Sequence, residues 1–560
     1  MQVFNYFRMF SNSRSQDSQL SRSSQASGPN QPLRHAFSNR PKAVIIHDLN
    51  ATEKDHLLAA AINGNLKAVR GHLEKNPDFI SAKYHITDAF SDALKEVFQG
   101  QEAISLLHIA CYGGALEMVE YLLEKMPALI EQKSSNGYSP LHSAARGGHV
   151  KVLESLLEKK PALLEENSHA GITPLHSAAH GGSVEMVKYL LLKKPALLEE
   201  VSNNAYTPLH SAAQGGSVEM VEFLLAKKPA LLNGVSSNGY TPLHSAAQGG
   251  GLEMAAFLLS KNGDFIGQNT ENGYTPLHSA AHGGSIAMVE FLLSKKPTLL
   301  DMDSDNGETL LHSAAHGGSG QMCEYLLYKK PALLRQNSTS GYTPLHSAAH
   351  GGYVEAADFL LTKKPDLLDS LSLKGYTPLH SAAQNGRIEM VDYLLLKKPS
   401  QLGESSQNGY TALHSAAQSG SVKMVKYLLD KRPSLLEQNS HRGFTPLHSA
   451  AQGGSAKMVE YLLTRKPALL EQPSEDATLP LQTALGQSHV ELTALMLSKN
   501  AQIPSNLNEV QTKTLNDGLA LLKAENQKTQ KEREEEIRNL YVFKSMQTLP
   551  PEVVNQFTSF

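Results

Sequence analysis

The stretch Thr207-Pro208-Leu209-His210-Ser211-Ala212-Ala213-Gln214-Gly215-Gly216 decides the fold, because it returns along the chain at a fixed interval of about 34 residues. A further copy keeps the spacing with Gln482 in the histidine position, and a degenerate first copy begins at Leu57. About thirteen copies follow one another, and a fixed period of this length indicates a solenoid of stacked repeats. The histidine recurs once in each full copy, at His108, His142, His176, His210, His244, His278, His312, His346, His380, His414 and His448.

Each copy predicts a helix, a turn, a second helix and a loop. Thr207 suits a helix cap, and Pro208 suits the first helical position, where its missing N–H is not needed. Gly215-Gly216 ends the first helix by offering a left-handed terminus. A second apolar face with helical spacing then runs to Pro229. The fold class that follows is all-α.

The phrase Gly-Tyr-Thr-Pro-Leu-His, followed by Ala-Ala, a glycine, a Val-Glu-Met-Val helix and a Leu-Leu pair, resembles the ankyrin repeat. The resemblance covers about residues 51–500 and implies an ankyrin-repeat solenoid. It also implies that the repeated histidine makes a structural hydrogen bond to neighbouring backbone. Two departures stand out. The period is longer by one than the usual ankyrin period of about 33 residues. Leu310 and Ala412 replace the usual proline, so we expect those helices to begin less sharply.

The chain divides into three predicted segments. Residues 1–50 form a disordered arm rich in Ser and Arg, with a targeting signal as the alternative interpretation. Residues 51–500 form the array, with a degenerate first repeat, an insertion at about 83–100 compatible with an added helix, and a last repeat that acts as a cap. Residues 501–560 form a charged helical tail, which we expect to be exposed.

Two resemblances in the tail carry alternative functions. The acidic cluster at 534–536 resembles the export signal of type IV secretion substrates, which would make the chain a secreted bacterial effector delivered into a host cell. Residues 549–560 resemble the opening helix of an F-box, which would make the tail an adaptor for a ubiquitin ligase.

Composition narrows the class of protein. The net charge of −3 gives no bulk attraction to nucleic acid, and the lysine pairs that end the second helices have glutamates close by. Two cysteines favour a reducing compartment, and no apolar run approaches the roughly 20 residues that span a bilayer. We therefore expect a cytoplasmic monomer that binds protein partners.

The sequence holds no catalytic phrase, so no enzymatic activity and no cofactor are predicted. Histidine pairs four residues apart, such as His278 and His282, lack the intervening glutamate of zinc proteases and an evident third ligand. No metal site is predicted from them.

Partner binding is the predicted function, because ankyrin-like proteins use hairpin tips and first helices to contact other proteins. A ladder of tyrosines would supply large contact area at low entropic cost. The alternative is that the rings pack on their own turns. The candidate residues are Tyr138, Tyr206, Tyr240, Tyr274, Tyr342, Tyr376 and Tyr410 at the tips, with Gln214, Gln248, His282, His316, His350 and Gln384 at the ends of the first helices.

Overall fold

The computed structural model describes residues 53–84, 104–504, 507–525 and 527–528. The predicted arm, most of the insertion with its added helix, and the tail beyond residue 528 lie outside these residues. The division of the chain into arm, array and tail therefore stays a prediction.

Thirteen helix pairs follow one another in the described residues, and we number them as repeats 1 to 13. The first helices are Glu53–Ile62, Leu106–Gly113, Pro140–Gly147, Pro174–Gly181, Pro208–Gly215, Pro242–Gly249, Pro276–Gly283, Leu310–Gly317, Pro344–Gly351, Pro378–Gln384, Ala412–Ser419, Pro446–Gly453 and Pro480–Gly486. The second helices are Leu66–Lys75, Leu116–Lys125, Val150–Lys159, Val184–Lys193, Val218–Lys227, Leu252–Lys261, Ile286–Lys295, Gly320–Lys329, Val354–Lys363, Ile388–Lys397, Val422–Lys431, Ala456–Arg465 and Val490–Ser498.

Most of the first helices begin at a Thr or Ser cap. In repeat 6, the Thr241 side chain accepts a hydrogen bond from the backbone of His244, and the His244 ring accepts one from the Thr241 backbone. The same reciprocal pair caps the helices that begin at Leu310 and Ala412. The expectation that these two helices begin less sharply is wrong, because the Thr–His pair fixes the start without proline.

Each second helix from repeat 1 to repeat 12 is followed by a single 3-10 turn rather than a plain loop. In repeat 5 this turn is Pro229–Asn233, and it buries Leu231. The others are Pro77–Ile80, Pro127–Glu131, Pro161–Glu165, Pro195–Leu198, Gly263–Gly267, Pro297–Asp301, Pro331–Arg335, Pro365–Asp369, Pro399–Gly403, Pro433–Glu437 and Pro467–Glu471.

The described chain forms two compact units. One holds the residues up to Thr339 together with Glu355–Lys364, and the other holds Ser340–Val354 and the residues from Pro365 onward. Within each unit, the first helix of a repeat packs against the first helix of the next. The core of each repeat consists of the leucine and alanines of the first helix and the Met, Val and Leu positions of the second. No repeat buries this face alone, so neighbours stabilise each other.

The ends of the insertion form a short antiparallel strand pair, Lys83–Tyr84 with Ile104–Ser105. At the other end of the array, residues 509–525 are helical. That helix buries Thr514 and Leu515, and Gly518 lies against Thr493 of repeat 13. One side of this helix therefore packs on the last repeat, and most of its other residues are exposed.

Candidate protein-binding face

The repeated histidine, which we call the slot histidine, ties each repeat to the next. In repeat 6, His244 Nε2 lies 3.1 Å from the carbonyl oxygen of Tyr274, and Nδ1 lies 2.9 Å from the Thr241 hydroxyl. A carbonyl oxygen only accepts, so Nε2 carries the proton and Nδ1 accepts. The same bond to the next repeat is made by His108, His142, His176, His210, His244, His278, His346, His380, His414 and His448. These histidines therefore have the structural role that the resemblance implied.

Burial keeps the slot histidines neutral. Desolvation lowers the pKa of His244 to about 3 and the pKa of His210 to about 4, although the bond from Nε2 to the next repeat opposes this shift. A charged imidazolium in this dry position would lack a counter-charge, so the uncharged ring is favoured.

The tip residues, which immediately precede the helix cap, differ in exposure. Tyr206, Tyr240 and Tyr274 are buried. The Tyr240 ring lies 5.0 Å from the ring of His244 in its own repeat and 6.3 Å from the ring of Tyr206. These three rings pack on their own turns, which was the alternative interpretation. Four other tip tyrosines are half-buried, namely Tyr138, Tyr342, Tyr376 and Tyr410.

Repeat 8 has Glu308 at the tip, where most repeats have an aromatic ring. The hydroxyl of Tyr274 donates a hydrogen bond to the Glu308 carboxylate. Burial raises the pKa of Glu308, and the bond from Tyr274 opposes that shift. Glu308 therefore contacts the neighbouring tip residue Tyr274 through a hydrogen bond, where an aromatic residue would pack its ring.

The predicted contact residues at the ends of the first helices also differ in exposure. Gln248, His282, His316 and His350 are buried, whereas Gln214 and Gln384 are half-buried. The structure brings His282 and His316 together in consecutive repeats. In the second unit, the Asn385 side-chain amide lies 2.7 Å from His350 Nδ1.

The exposed positions of the turns lie at their apex, three residues before the tip. At each apex the backbone N–H donates to a carbonyl of the preceding turn, as Glu271 does to Asn238 at 2.8 Å. The side chain is exposed and differs from repeat to repeat, which sequence reasoning missed although the variation among copies signals it. These apex residues are His169, Asn203, Ser237, Glu271, Asp305 and Thr339 in the first unit, and Leu373, Gln407, His441 and Glu475 in the second.

The lysine pairs at the ends of the second helices are largely neutralised. The second lysine pairs with an acid of the preceding repeat, as Lys194 does with Glu165 at 2.6 Å. In most of the pairs the first lysine lies over the aromatic ring four residues before it, as Lys329 does over Tyr325 at 5.4 Å. Because these lysines already have partners within the chain, the lysine pairs do not favour the binding of an anionic polymer.

Comparison with protein families agrees with this architecture. A family model of three ankyrin repeats matches residues 57–167, 161–233, 228–303, 296–369 and 363–439, and a single-repeat model matches residues 442–472. The chain belongs to the ankyrin-repeat family, whose repeats are protein–protein interaction modules. No curated protein matches the chain. Among the described residues, no helix is long and apolar enough to cross a lipid bilayer.

Proposed function

We propose that the chain is a scaffold that holds partner proteins across its row of apex residues. One observation supports this proposal. The apex side chains are exposed and differ between repeats, while backbone hydrogen bonds join each turn to the next. A surface that is already ordered loses little conformational entropy when a partner binds. Variation along the row gives each repeat its own contact chemistry.

The apex chemistry differs between the units. Glu271 and Asp305 place two carboxylates on neighbouring turns of the first unit. In the second unit, Leu373 is 68% exposed and precedes Lys374, and His441 precedes Arg442. A partner of the first unit would thus present cations, and a partner of the second would present apolar and acidic groups.

The residues predicted from the sequence flank this row and stay proposals as contact residues. Tyr138, Tyr342, Tyr376 and Tyr410 expose part of their rings beside the apex, and an edge of a tyrosine ring suits an interface. The more buried tyrosines support the turns from beneath.

Affinity capture with two matched variants tests this proposal. In the apex variant, Glu271, Asp305, Leu373 and His441 are changed to Ala. In the control variant, Leu192, Tyr328 and Leu396, which are 79%, 82% and 80% exposed on the second helices, are changed to Ala. We expect the apex variant to lose the proteins that the wild-type chain captures and the control to retain them, with unchanged thermal unfolding in both. Equal capture by both variants would contradict the proposal.

The alternatives, a secreted bacterial effector and an F-box-like ubiquitin-ligase adaptor, depend on residues 529–560. These residues lie outside the described part of the chain, so both alternatives stay predictions. Truncation after residue 528 separates them from the scaffold: loss of translocation or of ligase co-purification, with partner capture intact, would support a role for the tail.

A further inference from the structure

Two histidines that are far apart in the sequence meet at the ends of the first helices of repeats 7 and 8. His282 Nδ1 and His316 Nδ1 are 3.5 Å apart, their ring centroids are 5.2 Å apart, and their planes differ by 31°. The nitrogens are closer together than the centroids, so they face each other. At 3.5 Å, a direct N–H···N hydrogen bond between them is weak.

The Nδ1–Nδ1 distance and the ring-centroid distance are those expected of two histidines that coordinate one metal ion. Two nitrogens that each lie about 2.05 Å from a tetrahedral zinc ion are about 3.3 Å apart, and their ring centroids are about 5.2 Å apart. We propose that His282 and His316 form a binding site for a divalent transition-metal ion of the zinc and copper type, for which neutral imidazole is a preferred ligand.

His278, the other histidine of the repeat 7 helix, does not compete for the ion. Nε2 of His278 donates to the carbonyl of Glu308 at 3.2 Å, and Nδ1 lies 2.9 Å from the Thr275 hydroxyl. Both of its nitrogens are therefore engaged in the link between repeats. This is why pairs four residues apart in the sequence do not identify the site, whereas a pair at equivalent positions of successive repeats does.

The two histidines supply only part of the coordination of such an ion. His282 is 7% exposed and His316 is 8% exposed, so both side chains are buried without being fully enclosed. The described residues contain no group of three or more His, Cys, Asp or Glu suited to a metal ion. Water, or a side chain of a bound partner, therefore completes the coordination.

The array contains its own control for this arrangement. In repeats 3 and 4 the equivalent positions are Arg146 and His180, and Arg146 Nη2 lies 2.9 Å from His180 Nε2. The guanidinium occupies the ring nitrogen, and its charge repels a cation. In repeats 5, 6, 10, 11 and 12 the position is glutamine, at Gln214, Gln248, Gln384, Gln418 and Gln452, so glutamine is compatible with the packing.

Zinc titration of the full-length chain by isothermal calorimetry at pH 7.5 tests the proposal, using His282→Gln, His316→Gln and the control His180→Gln. We expect saturable zinc binding to the wild-type chain and to the control, and affinity at least about tenfold weaker in both site variants because a ligand is lost. Zinc should also raise the thermal unfolding midpoint of the wild-type chain but not of His316→Gln. Absence of saturable binding, unchanged affinity in the site variants, or equal loss in the control would each overturn the proposal.

Discussion

Two series of contacts join successive repeats, one buried and one exposed. In the buried series, His244 reaches the backbone of Tyr274 in the next repeat. In the exposed series, Lys228 pairs with Glu199 of the preceding repeat. The buried contact recurs along the array, whereas the exposed one is interrupted: Lys296 has Gly267 at the acid position.

The difference follows from solvent. A buried carbonyl or imidazole that loses its partner is also cut off from water, so its desolvation is uncompensated. An exposed lysine that loses its carboxylate is solvated instead, and such pairs contribute little. A repeat therefore tolerates loss of the ion pair but not loss of the histidine bond.

Acidification should disrupt the buried histidine bonds, and we expect it to cause the largest loss of stability. Slot histidines such as His142 and His176 have a pKa of about 4 in the folded chain, against 6.5 for an exposed imidazole. Above pH 6.5 neither state binds the proton. Between 6.5 and 4 only the unfolded state does, so stability falls as pH falls, by roughly 3 kcal/mol per histidine at pH 4.

Because most repeats carry such a histidine, these losses add along the array. We expect far-UV circular dichroism to show cooperative unfolding before pH 4 is reached. An unfolding midpoint in urea that stays constant between pH 7 and pH 4 would show that the histidines do not carry this linkage.

Removal of one slot histidine should have the next largest effect. His244→Leu removes the ring's bonds to the Tyr274 carbonyl and the Thr241 hydroxyl, which keep only the backbone N–H groups of Thr270 and of residue 244 as donors. The lost bonds should lower the free energy of unfolding by about 2–4 kcal/mol. Urea denaturation at pH 7.5 measures it. The exposed His169 provides the comparison, and His169→Leu should change stability by less than about 0.5 kcal/mol. Similar losses in both variants would mean that the buried bond is not the cause.

The spacing between first helices gives a third test of the buried side. A β-carbon on Gly283 would lie 2.1 Å from the carbonyl oxygen of Gln248, whereas one on Gly263 would meet nothing within 4 Å. Gly283→Ala must push two helices apart and should cost roughly 1–3 kcal/mol. Gly263→Ala should be neutral or slightly stabilising. Equal thermal midpoints for the two variants would contradict the close packing.

The exposed series should give the smallest change. Glu199→Gln removes the pair with Lys228, and the loss should stay below about 1 kcal/mol and shrink further in high salt. In the reverse direction, Arg335 occupies the acid position relative to Lys364, so Arg335→Glu should give a small gain of similar size. A loss from Glu199→Gln as large as that from His244→Leu would end the distinction between the two series.

The sequence predicted the helix pairs and their caps, because those features depend on residues that are close together in one repeat. The bond of the slot histidine reaches the next repeat, and it was expected only through the resemblance to the ankyrin repeat. The sequence did not show that the tip residue of each turn is partly or fully covered while the apex residue is exposed. Tyr274 and Glu271 lie in one turn, and only the stacking of neighbouring turns decides which side chain is covered. The contact between His282 and His316 was missed for the same reason, since it depends on the register between repeats.

The strand pair between Lys83–Tyr84 and Ile104–Ser105 has a consequence for how such a chain changes length. The two ends of the insertion are hydrogen-bonded side by side, so Tyr84, where the insertion begins, lies opposite Ile104, where it ends. The entropy of closing a loop grows only slowly with its length. A foreign domain or a fluorescent reporter grafted between Tyr84 and Ile104 would therefore leave the register of every later repeat unchanged.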